Sequence, residues 1–201
     1  MDFRENEFSA VDSLNISRTA IILLNPQEGL FSNIFSKLEF LNAFGYLKWL
    51  SHQTGIPVIQ VDVIPGINRL ADYIIMKERR SLQRVAPKSA LDNGFVSRFN
   101  ELVGDLKNKL IADSQDIFHS KAVEKELLSG KFDFFLIAGF LIDRAVLRVA
   151  LSSLEHGILP IIVSDATSTY SERIYYECLD VISQSAEVID SRDLMRRWPD
   201  Q

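Results

Sequence analysis

The sequence predicts a three-layer α/β/α domain with a mainly parallel sheet of about six strands. Two continuous apolar runs, 19–24 and 134–142, have the length and composition of strands that are covered on both faces. Segments of helical periodicity alternate with these and other strand candidates, which implies right-handed crossovers in a single sheet. We assign residues 1–17 to a polar N-terminal arm and residues 18–201 to the domain.

The strands are predicted from short apolar runs bounded by turn residues. Thr19 begins the first run, and the second, 57–63, is followed by Pro65 and Gly66. Strands are predicted at 19–24, 57–63, 116–119, 132–138, 159–164 and 187–189.

The helices are predicted from apolar residues that recur every three or four positions. The segment 35–54 has this spacing, and Gly55 follows it as a C-terminal stop. A second stripe runs through Phe99, Leu102, Val103, Leu106 and Leu110. Further helices are predicted at 122–128, 142–156 and 172–183, with one more after the last strand.

The bulk composition limits the partners that can be expected. The net charge of −5 gives no electrostatic reason for binding to nucleic acid or to an anionic membrane. The single cysteine, Cys178, excludes an internal disulfide and a cysteine-based zinc cluster, and its helical position favours a small core residue. The first residues are too polar for a signal peptide, and no apolar run is long enough to span a bilayer. We therefore expect a cytoplasmic protein.

The most informative segment is 132–146, which predicts a strand, a tight turn at Gly139 and the start of a helix. It resembles the isochorismatase-like cysteine hydrolases, the family of isochorismatases, nicotinamidases and carbamoylsarcosine amidases, whose motif is roughly Gly-Val-Ala-Thr-Asn-Val-Cys-Val. In this alignment Gly139 matches the glycine, Asp143 the asparagine and Ala145 the catalytic cysteine. The resemblance therefore implies a hydrolase scaffold whose nucleophile is replaced by a methyl group.

A second similarity lies at the end of the first strand. The family continues there with a motif like Asp-Met-Gln-Asn-Asp-Phe, whose first Asp is the general base. Here Asn25 takes the place of that Asp, while Gln27 and Phe31 match the motif. An amide cannot accept a proton near neutral pH, so the resemblance implies that the base is also lost.

The third catalytic position in the family is a lysine after the middle strand, in patterns such as Asp-x-Val-Val-x-Lys. Asp116 and Lys121 match its first and last positions, and His119 is the alternative if the register slips. Taken alone, Lys121 is typical of a solvated lysine at a helix start. The resemblance continues with Asp165-Ala166 and with Ser171 as a helix N-cap, and it covers roughly 18–190.

These positions predict one cleft, because ligands of open α/β sheets bind at the carboxyl ends of the strands. We expect Asn25, Lys121 and Ala145 to converge there. No metal is expected: Asp62 lacks the histidine two positions later that nicotinamidases use, and the three histidines lack ligand spacing. No cofactor is expected either. The expected ligand-binding residues are Asn25, Gln27, Lys121, Gly139, Leu141, Ile142 and Ala145.

Three functions remain open at this point. The first is a catalytically degenerate protein that is retained for small-molecule binding, assembly or regulation, with a small acid or amide as ligand and homo-oligomers as the family implies. The second is an active hydrolase of a carbonyl, amide or vinyl-ether substrate, with Glu28, Asp62 or Asp143 as a relocated acid or base. The third is a flavodoxin-like or other nucleotide-binding protein, which the absence of glycine-rich phosphate motifs disfavours.

Overall fold

The computed structural model describes residues 11–64, 73, 76–77, 80, 93–114 and 116–197. Six parallel strands form one sheet in the order β3-β2-β1-β4-β5-β6. The predicted fold class is thus confirmed. The strands are β1 Thr19–Leu24, β2 Val58–Val63, β3 Asn108–Ala112, β4 Phe134–Phe140, β5 Leu159–Ser168 and β6 Glu187–Ile189.

Helices connect the strands, as the parallel arrangement requires. They are α1 Glu28–Phe31, α2 Lys37–Thr54, α3 Asn93–Gly104, α4 Lys121–Leu127, α5 Leu147–Glu155, α6 Glu172–Ile182 and α7 Ser191–Arg197. Short turns of 3-10 helix lie at Ile16–Arg18 and Ile117–His119, and a π-helical turn lies at Ile142–Val146. None of the helices in the described ranges is long and apolar enough to cross a membrane.

The sheet separates two apolar cores, because alternate side chains of each strand point to opposite faces. On β1, Ile21 and Leu23 belong to the core beneath α1, α2, α3 and α7. Ala20, Ile22 and Leu24 belong to the core beneath α4, α5 and α6. Burial on both faces explains why 19–24 is apolar throughout.

The strand order places a topological switch point between β1 and β4. Chain connections run to one side from β1 through β2 to β3, and to the other side from β4 through β5 to β6. Open α/β sheets bind ligands in the crevice at the carboxyl ends of such strands. Asn25 follows β1 and Leu141 follows β4, so both lie at this point.

One predicted strand is wrong. Residues 116–119 form a 3-10 turn at Ile117–His119, and the strand of this region is β3, within the predicted helical stripe. Helix α3 ends at Gly104, and Leu110 lies in β3. The cause is the edge position of β3: four of its five residues are exposed or only half-buried, so it lacks the apolar run of a central strand.

The turn predicted at Gly139 lies two residues later. Gly139 is inside β4 with a φ of +123°, paired with Leu24, and the chain turns at Leu141. A Cβ at position 139 would lie 2.1 Å from the Leu24 carbonyl oxygen. The glycine is therefore required for the close approach of β4 to β1.

Other predicted elements agree with the structure. Gly55 ends α2 in the left-handed conformation, with φ +76° and its N–H bonded to the Ser51 carbonyl at 2.9 Å. Part of the predicted N-terminal arm packs on the domain, since Val11 and Leu14 are buried in the core beneath α2.

Candidate active site

Asn25 is held at the end of β1 by the backbone of β2. Its N–H donates to the Val61 carbonyl at 3.0 Å, and its Oδ1 accepts the Val63 N–H at 2.7 Å. The residue is only 4% exposed and has a φ of +51°. Asn and Asp adopt this left-handed conformation more readily than other residues with a Cβ, which explains the residue type at this turn.

Leu141 is the second residue with a Cβ and a positive φ, at +65°. Its N–H donates to the Ser168 carbonyl of β5 at 2.9 Å, and its carbonyl accepts the Arg144 N–H at 2.9 Å. Two left-handed residues thus follow the neighbouring strands β1 and β4. Backbone conformations of this kind cost energy and occur most often at binding and catalytic sites.

Ala145, which the sequence alignment matches to the family's nucleophile, lies in the π-helical turn that precedes α5. The residue is 6% exposed and shares an apolar cluster with Leu24 and Ile142. Its neighbour Asp143 accepts the Thr169 hydroxyl at 2.6 Å and lies 3.3 Å from the Arg144 guanidinium. The carboxylate therefore ties the turn to the end of β5.

The remaining predicted contacts divide into buried and exposed residues. Ile142 is buried in the cluster with Ala145. Gln27 is exposed and precedes α1, and its side chain makes no capping hydrogen bond. Of these two residues, Gln27 is therefore the one whose side chain a ligand can reach.

Lys121 begins α4 as an exposed residue, nine positions after the end of β3. In the described part of the chain its side chain forms no hydrogen bond or salt bridge, either to Asn25 or to other residues. His119 is also exposed. The structure gives neither side chain a contact with the ends of β1 and β4.

Asp113 is the residue that directly follows β3. Its backbone N–H donates to Ser120 Oγ at 2.8 Å, and its carboxylate accepts the Ser120 hydroxyl. The segment 108–113 has the apolar pair Leu110-Ile111 at the third and fourth places, as the family's lysine pattern requires. From the sequence, β3 was assigned to a helix, so Asp113 was not weighed beside Lys121; the apolar pair was the signal that could have brought it in.

The profile of the isochorismatase domain matches residues 19–193, which is most of the chain. The chain belongs to the isochorismatase family. No curated protein matches it at a significant level.

Solved structures show the same fold. YcaC from Pseudomonas aeruginosa, determined with hexane-2,5-diol and covalent acrylamide, is 18% identical with a TM-score of 0.65, over 94% of this chain and 85% of that one. The Escherichia coli YcaC gene product, described as an octameric hydrolase of unknown specificity, is 20% identical with a TM-score of 0.64, over 94% and 84%. A cysteine hydrolase from Pseudomonas syringae is 12% identical with a TM-score of 0.65, over 92% and 93%.

The three carboxylates considered as relocated acids have different surroundings in this isochorismatase-family fold. Glu28 is exposed and accepts the Asn100 amide at 2.9 Å, whereas Asp143 is engaged by Thr169 and Arg144. Asp62 accepts the Gln60 amide at 2.7 Å through Oδ2, but its Oδ1 is buried and has no hydrogen-bond partner among the described residues. Asp62 is therefore the one of the three with an unused buried oxygen. No group of three His, Cys, Asp or Glu side chains in the described residues could hold a metal ion.

Proposed function

We propose that this protein is a catalytically degenerate member of the isochorismatase family, retained to bind a small acid or amide without turning it over. The observation that carries the proposal is Ala145, a methyl group at the nucleophile position in the turn after β4. Covalent acyl transfer needs a thiolate at this place, and triad members act as a unit. Cys178 is no substitute, because it lies in α6 as a half-buried residue packed against the core.

The two other family positions support the same proposal. The Oδ1 of Asn25 already accepts a hydrogen bond from the Val63 N–H, and the side-chain amide has no basic site that could take a proton. At the lysine position we place Asp113 instead of Lys121, because Asp113 follows β3 directly, whereas Lys121 begins α4 nine positions after the end of the strand. All three catalytic groups are then replaced.

Self-association is the second part of the proposal. The Escherichia coli YcaC gene product is described as octameric, and it has the same fold. In this chain several large apolar side chains are exposed in the described ranges, among them Trp49 on α2, Leu151 on α5 and Val181 on α6. Contacts between copies would remove such surface from water. Light scattering of the purified chain should give a mass that is a multiple of 22.8 kDa.

The test of degeneracy is an amidase assay. The unmodified chain should release no ammonia from nicotinamide or from N-carbamoyl compounds, while calorimetry detects weak binding of a small aromatic acid. An Asn25→Leu variant should lose that binding, and Glu124→Gln on the exposed face of α4 serves as the matched control. Turnover by the unmodified chain would refute the proposal.

An active hydrolase with a relocated acid is the second candidate. It is favoured by one observation, the buried and unpartnered Oδ1 of Asp62 near the carboxyl end of β2. Buried polar atoms without partners are uncommon and often have a functional role. Turnover of a vinyl ether or an amide that Asp62→Asn abolishes, while Asp143→Asn leaves it intact, would establish this candidate.

A further inference from the structure

A cavity of about 460 Å³ lies outside the candidate active site, beside the start of α2 and of α6. It shares no lining residue with the predicted ligand set around Asn25 and Ala145. Its volume falls in the range of small-molecule sites. The lining residues are Phe35, Ser36, Glu39, Asp165, Glu172, Tyr175 and Tyr176.

The charge of this cavity has one sign. Glu39, Asp165 and Glu172 contribute three carboxylates, and the described lining contains no Lys, Arg or His. Both carboxylate oxygens of Asp165 already have hydrogen-bond partners, since they accept the N–H and the hydroxyl of Ser191 at 2.9 and 2.6 Å. Glu39 and Glu172 have no hydrogen bond or salt bridge within the described part of the chain. Two carboxylates are thus available to a cation.

Aromatic rings form the other part of the wall. Tyr175 packs against Phe35 and Tyr176, both at 5.2 Å between ring centroids and with interplanar angles of 65° and 75°. The Tyr175 hydroxyl donates to the Ser164 carbonyl at 2.8 Å, which fixes the central ring. Aromatic walls combined with carboxylates are typical of sites for organic ammonium ions, which are attracted by ring faces and by negative charge.

A second cavity of about 550 Å³ shares Glu39 and Asp165 with the first and extends along α2 to α7. Tyr46 contributes a hydroxyl oxygen that is buried and has no hydrogen-bond partner in the part of the chain that the structure describes. A buried hydroxyl without a partner is costly unless a ligand or a water satisfies it. The lining of this neighbouring cavity also contains Asp190 and Arg192, so it carries charges of both signs, unlike the first cavity.

We propose that the first cavity binds a small organic ammonium ion, with its charge between Glu39 and Glu172 and against the Tyr175 and Tyr176 rings. An inorganic divalent cation fits less well, because no group of three metal-ligating side chains in the described residues converges on one point. This proposal does not depend on whether the Ala145 site is catalytically degenerate, so each of the two proposals can be refuted without the other.

The experiment is a titration of the full chain with choline and with 1,4-diaminobutane, followed by calorimetry. The comparison ligand is 3,3-dimethylbutan-1-ol, which has the shape of choline without its charge. We expect at least one cation to bind about tenfold or more tightly than the neutral alcohol, and more weakly as salt is raised. Failure of both cations to bind, or equal binding of the neutral alcohol, would overturn the proposal.

Variants at two exposed residues locate the binding. Glu172→Gln should weaken binding of the cation on the order of fivefold by removing a partly screened charge, and Tyr176→Leu about two- to fivefold. Glu124→Gln on α4 changes the net charge equally at a residue that does not line either cavity, and it should have no effect. Equal weakening by the control, or none by either cavity variant, would show that this cavity is not the site.

Discussion

The side chain of Asn25 takes the place of a backbone acceptor for Val63. The parallel ladder between β1 and β2 continues through Asn25 N–H to the Val61 carbonyl, and the next rung is the Val63 N–H to Asn25 Oδ1 at 2.7 Å. The main chain of Asn25 can therefore leave the strand in the left-handed conformation without leaving the Val63 N–H unpaired.

This relationship predicts the effect of replacing Asn25. Asn25→Ala should lower the free energy of unfolding by about 1–3 kcal/mol, because the Val63 N–H loses its partner and alanine is disfavoured at φ +51°. Asn25→Asp retains an acceptor oxygen and should cost less. Urea denaturation followed by circular dichroism measures both, and equal stability of the two variants would contradict the hydrogen-bond explanation.

Gly139 is predicted to be intolerant of any side chain. The added Cβ of Gly139→Ala would lie 2.1 Å from the Leu24 carbonyl oxygen, and the φ of +123° is unfavourable for alanine. We expect the free energy of unfolding to fall by at least about 3 kcal/mol.

Gly29 provides the matched control for this prediction. It lies in α1, and a Cβ there would have no atom within 4 Å. Gly29→Ala should change stability by no more than about 1 kcal/mol. Similar losses for the two variants would show that glycine content, and not the approach of β4 to β1, determines the effect.

The sequence was sufficient for the central strands and insufficient for the edge of the sheet. Strands β1 and β4 are buried on both faces, so their apolar runs were recognisable. β3 is an edge strand with exposed residues, and the sequence pattern assigned it to a helix. The cavity beside Glu172 brings together residues from α2, β5 and α6, which no local pattern could indicate.

Cys178 should react slowly with thiol reagents. Burial, followed by the negative charges of Asp143 and Glu177, raises the pKa of its thiol above the ordinary value. The thiolate is the reacting species, so at pH 8 the folded chain should react with a disulfide reagent at least about tenfold more slowly than the chain in urea. Since Cys178 is the single cysteine, Cys178→Ser should abolish the signal, and equal folded and unfolded rates would contradict the prediction.

Tyr175 should make the stability sensitive to alkaline pH. Burial, and then the charge of Asp165, raises the pKa of its phenol from 10.0 to about 12. The folded state favours the protonated form, so this contribution is complete below pH 10 and is lost as the pH rises to about 12. The stability difference between the unmodified chain and Tyr175→Phe should therefore shrink between pH 9 and about 12. A constant difference would show that the phenol titrates alike in both states.

Introducing the family's catalytic groups tests the proposed degeneracy of the site. Ala145→Cys supplies a nucleophile, and Asn25→Asp supplies a base whose one oxygen can keep the Val63 N–H while the other takes the thiol proton. Each change alone should leave the chain inactive, since one group cannot work without the other, whereas the double variant should release ammonia from a simple amide.

Two further variants distinguish Asp113 from Lys121 as the residue at the family's lysine position. Adding Asp113→Lys to the double variant should raise its rate further if Asp113 follows β3 at the family's lysine position. Adding Lys121→Met instead should leave the rate unchanged, because this exposed side chain lies nine residues beyond the strand. A loss of rate with Lys121→Met and no gain with Asp113→Lys would show that Lys121 occupies the family's lysine position. A double variant that folds but is inactive would show that the surrounding pocket has also diverged.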